Sequence, residues 1–241
     1  MNSNNNNRKI TRIFGAVFIL TFLSYGIGSS LIASVINAPD FLSNIYTNQD
    51  QIIIGVMLMA LVHTCTNISL PLLMFPILKP HSQYLAYGYL SFAIAATVIL
   101  VVGALFLLLL LPLSEAYAKS GFIMTSNFEI MGALFKKAEF YSYHMGMALW
   151  SIGGLMFVSA LYKSKLIPRA MSVWGIVGYI TLISGSVMEI CKHHDMVEII
   201  SIIPGGLFEI TLSIWFIFKD INSTSLEAIP MKPNSSIEAK Y

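Results

Sequence analysis

The sequence predicts an all-α membrane protein that crosses a bilayer six times. Hydrophobic residues make up 56% of its 241 residues and charged residues only 11%, whereas about 25% of a typical soluble domain is charged. Six apolar stretches also reach the length of about 20 residues that a helix needs to cross the hydrocarbon core. Because backbone groups in lipid must be hydrogen-bonded within their own segment, these stretches must form helices.

The six predicted spans follow one another along a single transmembrane domain, residues 13–218. Their limits are residues 13–36, 52–78, 84–112, 140–161, 171–190 and 197–218. The spans leave no room for a second globular unit. The polar segments on either side, residues 1–12 with their basic side chains and residues 219–241, are expected to be disordered.

Lysine and arginine residues are distributed unevenly between the two sides of the predicted bundle. One side holds Arg8, Lys9, Arg12, Lys79, Lys163, Lys165, Arg169 and Lys219, and the other holds Lys119, Lys136, Lys137 and Lys192. Because connections rich in Lys and Arg stay in the cytoplasm, both termini are predicted to be cytoplasmic. For a bacterial chain this orientation refers to the inner membrane.

The longest predicted connection, residues 113–139, joins spans three and four. It contains Ser126 three residues before Glu129, which is the spacing of a capping box. Apolar residues at helical intervals follow. The pattern predicts a short interfacial helix over about residues 127–138 on the outer surface of the membrane.

A carboxylate within the sixth span is the strongest functional signal in the sequence. Glu209 and His63, in spans six and two, each lie about 18 Å from the outer ends of their spans at 1.5 Å per residue. An ionisable side chain at that depth is costly and normally faces a partner inside the bundle. We therefore predict a polar centre in which Glu209 pairs with His63.

Helical spacing adds neighbours to this predicted polar centre. Thr66 and Asn67 follow His63 on one face of span two, and Ser213 lies four residues after Glu209. Such a centre would share a proton, bind a cation or orient a polar headgroup. In the alternative hypothesis the polar groups only fix helix contacts, since each such bond stabilises a membrane bundle by about 1 kcal/mol.

A second polar group, the outer-mouth group, lies near the outer ends of spans four, five and six. It comprises Glu139, His144, Glu189, His193, His194 and Glu198. These residues are of metal-ligating types, but no HExxH or CxxC pattern is present. Haem is disfavoured because His63 and His144 lie at different depths. We therefore predict no metal and no cofactor, and we interpret the outer-mouth group as a candidate entrance.

Three blocks of the sequence carry a family resemblance. They are residues 161–169 with Ser172, Trp174, Gly175, Gly178 and Tyr179, residues 75–79 with His81 and residues 86–89, and Pro204 with Phe208, Glu209, Trp215 and Lys219. Together they resemble the bacterial domain of unknown function 4386 family over nearly the whole chain. The resemblance implies a six-helix inner-membrane protein and marks Glu209, but it implies no particular activity.

The chain departs from that family pattern in span three. Many members carry an arginine and a glutamate at the places held here by Ala93 and Ala96. The resemblance therefore implies that Glu209 lacks these charged partners and depends on His63 instead.

Three classes of function remain open. The first is binding or transport of a small molecule, an ion or a proton through the Glu209 and His63 centre. The second is a membrane-embedded enzyme or lipid-binding protein that acts on an amphipathic substrate, and the third is a structural or accessory protein. We favour the first over an enzyme, because the sequence contains no GxSxG nucleophile elbow.

The expected partners follow from the same composition. Membrane lipids surround the spans, and a small hydrophobic or amphipathic ligand is expected at the polar centre. Nucleic acid is not expected, because the basic residues are gathered at helix ends rather than in a stripe along one face. The sequence indicates no oligomeric state.

Overall fold

A computed structural model describes residues 2–123, 126–191, 197–219 and 221, and within these ranges the chain is helical and contains no strand. Side chains are described for residues 5–123, 126–191, 203–219 and 221. The helices are α1 (Asn2–Ile36), α2 (Phe41–Thr47), α3 (Gln49–Met57), α4 (His63–Leu78), α5 (Gln83–Leu108), α6 (Leu110–Lys119), α7 (Ser126–Ser164), α8 (Arg169–Ile190) and α9 (Val197–Phe218). The prediction of an all-α fold is therefore confirmed.

Within the described residues, five helical segments are long and apolar enough to cross a membrane. They are Asn5–Ile36, Gln49–Leu78, Gln83–Lys119, Ser126–Ser164 and Arg169–Ile190. A shorter apolar stretch, Ile203–Phe218, lies within α9, where the sixth span is predicted. By length and composition of its helices, the chain is a membrane protein.

The first helix begins earlier than the sequence predicts. Residues 2–12 were expected to be disordered, but α1 starts at Asn2 and runs without a break into the first span. Extending a helix that is already nucleated adds one backbone hydrogen bond per residue, so a polar segment beside a stable span can stay helical. Of the predicted tail, residues 219–241, the structure describes only residues 219 and 221.

The predicted loop at residues 113–139 is mostly helical. The helix α6 extends to Lys119, and α7 is one continuous helix that merges the predicted interfacial helix, residues 127–138, with the fourth span. Residues 133–145 contain neither glycine nor proline, so nothing in the sequence stops the helix there. Lys136 fixes this part of α7, because its ammonium group donates a hydrogen bond to the Ile36 carbonyl.

The second predicted span is interrupted by a π-helical turn. Leu58–Val62 forms this turn between α3 and α4, and His63 is the first residue after it. Single π-helical turns inside α-helices occur frequently at functional sites. The irregular backbone therefore coincides with one of the two ionisable residues of the predicted polar centre.

The long helices form a closed ring in chain order. Each of α1, α4, α5, α7, α8 and α9 packs against the next, and α9 packs back against α1. One hydrophobic cluster surrounds Phe14, Phe157 and Phe208, and a second surrounds Ile32, Leu42 and Ile52. The ring and its two clusters define the interior in which the candidate site lies.

Glycines allow a close contact between α8 and α9. A Cβ atom on Gly178 of α8 would lie 2.9 Å from the Cα of Gly205 in α9, so the two backbones touch there. Gly178 therefore lies on a packing face. Gly26 and Ser30 of α1 differ from it: both are exposed, and a Cβ on Gly26 would meet nothing within 4 Å.

Replacing Gly178 with alanine should destabilise the bundle. The added methyl group would collide with backbone atoms of α9, and overpacking of this kind costs about 1–3 kcal/mol. The matched control is Gly206→Ala, because a Cβ there meets nothing within 4 Å and alanine favours a helix by about 1 kcal/mol over glycine. The thermal stability of both variants is measured by the loss of the monodisperse size-exclusion peak on heating in detergent. Equal losses for the two variants would contradict the close contact.

Candidate ligand-binding cavity

A cavity of about 200 Å³ lies inside the ring of helices. Its lining residues are Phe18, Thr21, Phe22, Tyr25 and Gly26 of α1, His63 and Asn67 of α4, Leu100 of α5, Tyr143, Met147 and Trp150 of α7, and Glu209 of α9. The volume corresponds to about seven water molecules at about 30 Å³ each. Mostly apolar walls with a few polar groups are typical of small-molecule sites.

Glu209 is bonded by two aromatic donors from neighbouring helices. The indole Nε1–H of Trp150 in α7 donates to Oε1 at 3.0 Å, and the hydroxyl of Tyr179 in α8 donates to the same oxygen at 2.7 Å. Glu209 itself is only 5% exposed. Both donors bond Oε1, so Oε2 keeps its lone pairs for another partner. The carboxyl group thereby joins α7, α8 and α9.

Two glycines make room for the aromatic rings around Glu209. A Cβ on Gly154 would lie 2.3 Å from the ring of Tyr179, and a Cβ on Gly175 would lie 2.5 Å from the ring of Phe208. Any larger residue would therefore displace these rings. The Tyr179 hydroxyl reaches Glu209 because α7 has no side chain at position 154.

His63 lines the same cavity from α4 with one ring nitrogen unused. Its Nδ1 lies 3.4 Å from the Thr21 carbonyl oxygen, and its ring packs edge-on against Tyr25 at 5.0 Å between centroids. A carbonyl only accepts, so Nδ1 carries the hydrogen and Nε2 carries a lone pair. The side chain is 8% exposed, and Nε2 has no hydrogen-bond partner in the described part of the chain.

Asn67 is held by a relay of hydrogen bonds to α5. Its Nδ2 donates to Oγ1 of Thr97 at 2.8 Å, and the Thr97 hydroxyl donates to the Ala93 carbonyl at 2.7 Å. Because the Thr97 hydrogen is already used, Asn67 must be the donor to Thr97. This assignment leaves the Asn67 carbonyl oxygen as an acceptor.

The predicted pairing of Glu209 with His63 is wrong. Both residues line one cavity, but among the described residues the donors to Glu209 are Trp150 and Tyr179. A buried carboxylate needs hydrogen-bond donors, and these neutral aromatic groups supply them. The cavity separates the two ionisable groups instead of the two forming a contact.

Two further residues of the predicted polar centre bond to their own helices. Thr66 donates to the carbonyls of Val62 and His63, and Ser213 donates to the Glu209 carbonyl. Such bonds satisfy the hydroxyl groups within the helix. Neither residue lines the cavity. Glu209, His63 and Asn67 are therefore the three predicted residues that the structure brings to one site.

The residues that sequence reasoning missed are aromatic. Trp150, Tyr179, Tyr25 and Tyr143 contact Glu209 or line the cavity. A usable signal was present, because a carboxylate within a span needs donors, and indole and phenol groups are the donors that spans tolerate best. A search for Trp and Tyr near the depth of Glu209 would have selected Trp150, Tyr179 and Tyr25 but not Tyr143, which lies near the outer end of the predicted fourth span.

The structure describes the side chains of three residues of the outer-mouth group, Glu139, His144 and Glu189. His144 and Glu189 are buried side chains rather than solvated ones, and the His144 ring packs against Phe140 at 4.4 Å. Glu139 lies on the same helix, α7. His193 and His194 lie outside the described residues, as does the side chain of Glu198 in α9. The described residues contain no group of three or more His, Cys, Asp or Glu side chains that could hold a metal.

The cavity comes close to the outer surface of the bundle at Gly26. This glycine and Phe22 line both the cavity and an open groove on α1. The groove continues along Leu23 and Ile27, which are each 51% exposed. Gly26 and Phe22 therefore lie where the cavity meets the apolar outer face.

Removing the Tyr179 hydroxyl should reduce stability through Glu209. A hydrogen bond to a charged group contributes about 1.5–3 kcal/mol, so Tyr179→Phe should lower the unfolding free energy by roughly that amount. In a Glu209→Ala background the same change should cost little, and a double-mutant cycle measures the difference. Tyr84→Phe is the matched control because Tyr84 is 90% exposed. Additive effects of the two substitutions would contradict the bond.

Comparison with known proteins identifies the family but no characterised relative. A model of the family described as Domain of unknown function (DUF4386) matches residues 13–219, which include every residue that lines the cavity. No curated protein and no solved structure matches the chain. The chain therefore belongs to the family of the domain of unknown function DUF4386.

Proposed function

We propose that this chain is a six-span bacterial inner-membrane protein that binds or transports a small amphipathic molecule, which occupies the cavity. The observation that supports this most directly is the presence of two buried ionisable groups in the lining of one cavity. Oε2 of Glu209 and Nε2 of His63 both keep unused hydrogen-bonding capacity. A ligand with polar groups would satisfy both.

The unpartnered imidazole supports a ligand energetically. A buried polar atom without a partner costs about 1–3 kcal/mol, and a bound molecule that bonds to Nε2 of His63 recovers this loss. The irregular turn Leu58–Val62 immediately before His63 is a second local departure from regular structure. Departures of this kind are more readily explained by ligand binding than by packing alone.

The walls of the cavity favour an amphipathic molecule over a hydrated inorganic ion. Aromatic and aliphatic side chains form most of the lining, whereas hard cations require several oxygen ligands. The junction of the cavity with the outer face at Gly26 gives a route from the lipid phase.

The arrangement of the helices supports six spans. The helix α9 has 22 residues, which gives it a length of about 33 Å at 1.5 Å per residue. It closes the ring between α8 and α1. An even number of spans places both termini on one side, and the concentration of Lys and Arg residues on that side favours the cytoplasm.

A structural role is the second candidate, because Glu209 joins three helices through its two hydrogen bonds. In that case the carboxyl group would serve only to fix how α7, α8 and α9 pack. The two candidates differ in what they predict for a ligand. Binding requires an occupant of the cavity, and a structural role requires none.

Native mass spectrometry of the detergent-purified protein tests the proposed function. We expect the wild type to retain a small molecule or lipid, and Glu209→Gln and His63→Ala to lose it because each removes a polar wall of the cavity. Glu115→Gln is the matched control, since Glu115 is exposed and lies outside the cavity. If the folded wild-type protein carries no bound molecule, even after incubation with lipid extracts, the result would favour the structural role.

Reporter fusions test the proposed orientation. Green fluorescent protein fused after Tyr241 should fluoresce in bacterial cells, because it folds in the cytoplasm, and alkaline phosphatase fused at the same point should be inactive. Alkaline phosphatase inserted after Gly121, in the turn between α6 and α7, should be active. The reverse pattern would contradict an arrangement with both termini in the cytoplasm.

A further inference from the structure

We propose that the cavity selects a ligand that carries a protonated amine next to a compact apolar body. This proposal rests on the proposed function, because it assumes that the cavity is a binding site. It adds the chemical class of the ligand: an organic ammonium ion rather than a neutral lipid or an anion. Three features of the lining support this ligand class: its hydrogen-bond acceptors, its charge and its aromatic rings.

The polar side chains of the cavity present acceptors. The Thr21 hydroxyl donates to the Val17 carbonyl, and Nδ1 of His63 is directed at the Thr21 carbonyl. Asn67 uses Nδ2 to bond Thr97, and the Trp150 indole bonds Glu209. The unused positions are therefore lone pairs on Oε2 of Glu209, Nε2 of His63 and Oδ1 of Asn67. A ligand that matches them must bring hydrogen-bond donors, and an ammonium group offers three.

The charge of the cavity points in the same direction. Glu209 lines it, and no lysine or arginine is among the lining residues of the described chain. The two donors to Oε1 are neutral, so the protein itself provides no positive charge to the carboxylate there. A buried carboxylate without a cation is costly, and an ammonium ion would remove that cost.

Aromatic rings form the rest of the enclosure. Phe18 packs edge-on against Trp150 with 6.2 Å between centroids, and Tyr25 stacks on Tyr143 at 5.9 Å. Ring faces attract cations, and tryptophan does so most strongly. The hydroxyls of Tyr25 and Tyr143 can donate or accept, so they do not oppose an ammonium group. The same rings provide apolar contact for the body of the ligand.

The volume of the cavity limits the size of the apolar part of the ligand. A volume of about 200 Å³ holds a small ring with a short amine-bearing chain, but it does not enclose a long acyl chain. Such a chain would have to leave the cavity beside Gly26, where a Cβ would meet nothing within 4 Å. A compact arylalkyl ammonium ion is therefore the simplest probe.

Isothermal titration calorimetry on the full chain in lipid nanodiscs tests this inference. The probes are phenethylammonium, its neutral isostere propylbenzene and the anion 3-phenylpropanoate. In the wild type we expect phenethylammonium to bind at least about tenfold more tightly than propylbenzene, and the anion to bind most weakly. Glu209→Gln should abolish this preference while keeping propylbenzene binding, and Glu115→Gln should retain the wild-type pattern.

A second variant keeps the test informative if Glu209→Gln does not fold. His63→Phe preserves a ring beside Tyr25 and removes the Nε2 acceptor, so it should weaken phenethylammonium binding severalfold and leave propylbenzene binding unchanged. Size-exclusion profile and circular dichroism establish that each variant is folded.

The remaining outcomes separate the two proposals. Propylbenzene or the anion binding as tightly as phenethylammonium would overturn the ammonium inference and leave the cavity as a binding site. No binding of any probe to folded wild-type protein would overturn both the inference and the proposed function.

Discussion

The two hydrogen bonds that Glu209 accepts are the constraint around which the rest of the bundle is arranged. A carboxyl group 5% exposed inside an apolar ring must receive hydrogen bonds, and Trp150 and Tyr179 supply them from two neighbouring helices. For these donors to reach Glu209, the helices α7, α8 and α9 must approach one another closely. Glycines at positions 154 and 178 permit that approach, because a side chain at either would collide with a ring or a backbone. Small residues and aromatic donors in three helices are thus consequences of one buried acid.

Depth along a helix could be predicted from the sequence, but the hydrogen-bond partner of a side chain could not. A rise of 1.5 Å per residue placed Glu209 and His63 at one level, and the structure does bring both to one cavity. The two do not pair, because Trp150 and Tyr179 donate to the Glu209 carboxyl group instead. Which donors reach that group depends on how three helices pack, and apolar periodicity does not reveal it.

The positions at which helices begin and end are a second feature that the sequence did not predict. Polar composition suggested a disordered segment at residues 1–12, and a capping-box spacing before apolar residues suggested a separate interfacial helix at residues 127–138. In the structure, residues 2–12 and 127–138 each continue an adjacent span. Composition reports what a segment would do alone, but a helix already stabilised by packing extends cheaply into polar sequence. Lys136 illustrates the tertiary contribution, since its bond to the Ile36 carbonyl and its position over the Phe41 ring fix α7 against the end of α1. Such contacts join residues far apart in sequence and leave no local pattern.

The two sides of the cavity differ mechanically, and this difference bears on how a ligand exchanges. On the α7, α8 and α9 side, any separation of the helices breaks bonds to Glu209 or the contact between Gly178 and Gly205. On the α1 side, Gly26 contacts nothing across the groove, and the bond between Nδ1 of His63 and the Thr21 carbonyl is long at 3.4 Å. Movement of the wall beside Gly26 therefore breaks neither hydrogen bond to Glu209. It leaves the carboxylate in place with its two donors, so the group that holds the ligand stays fixed while the wall next to the lipid moves.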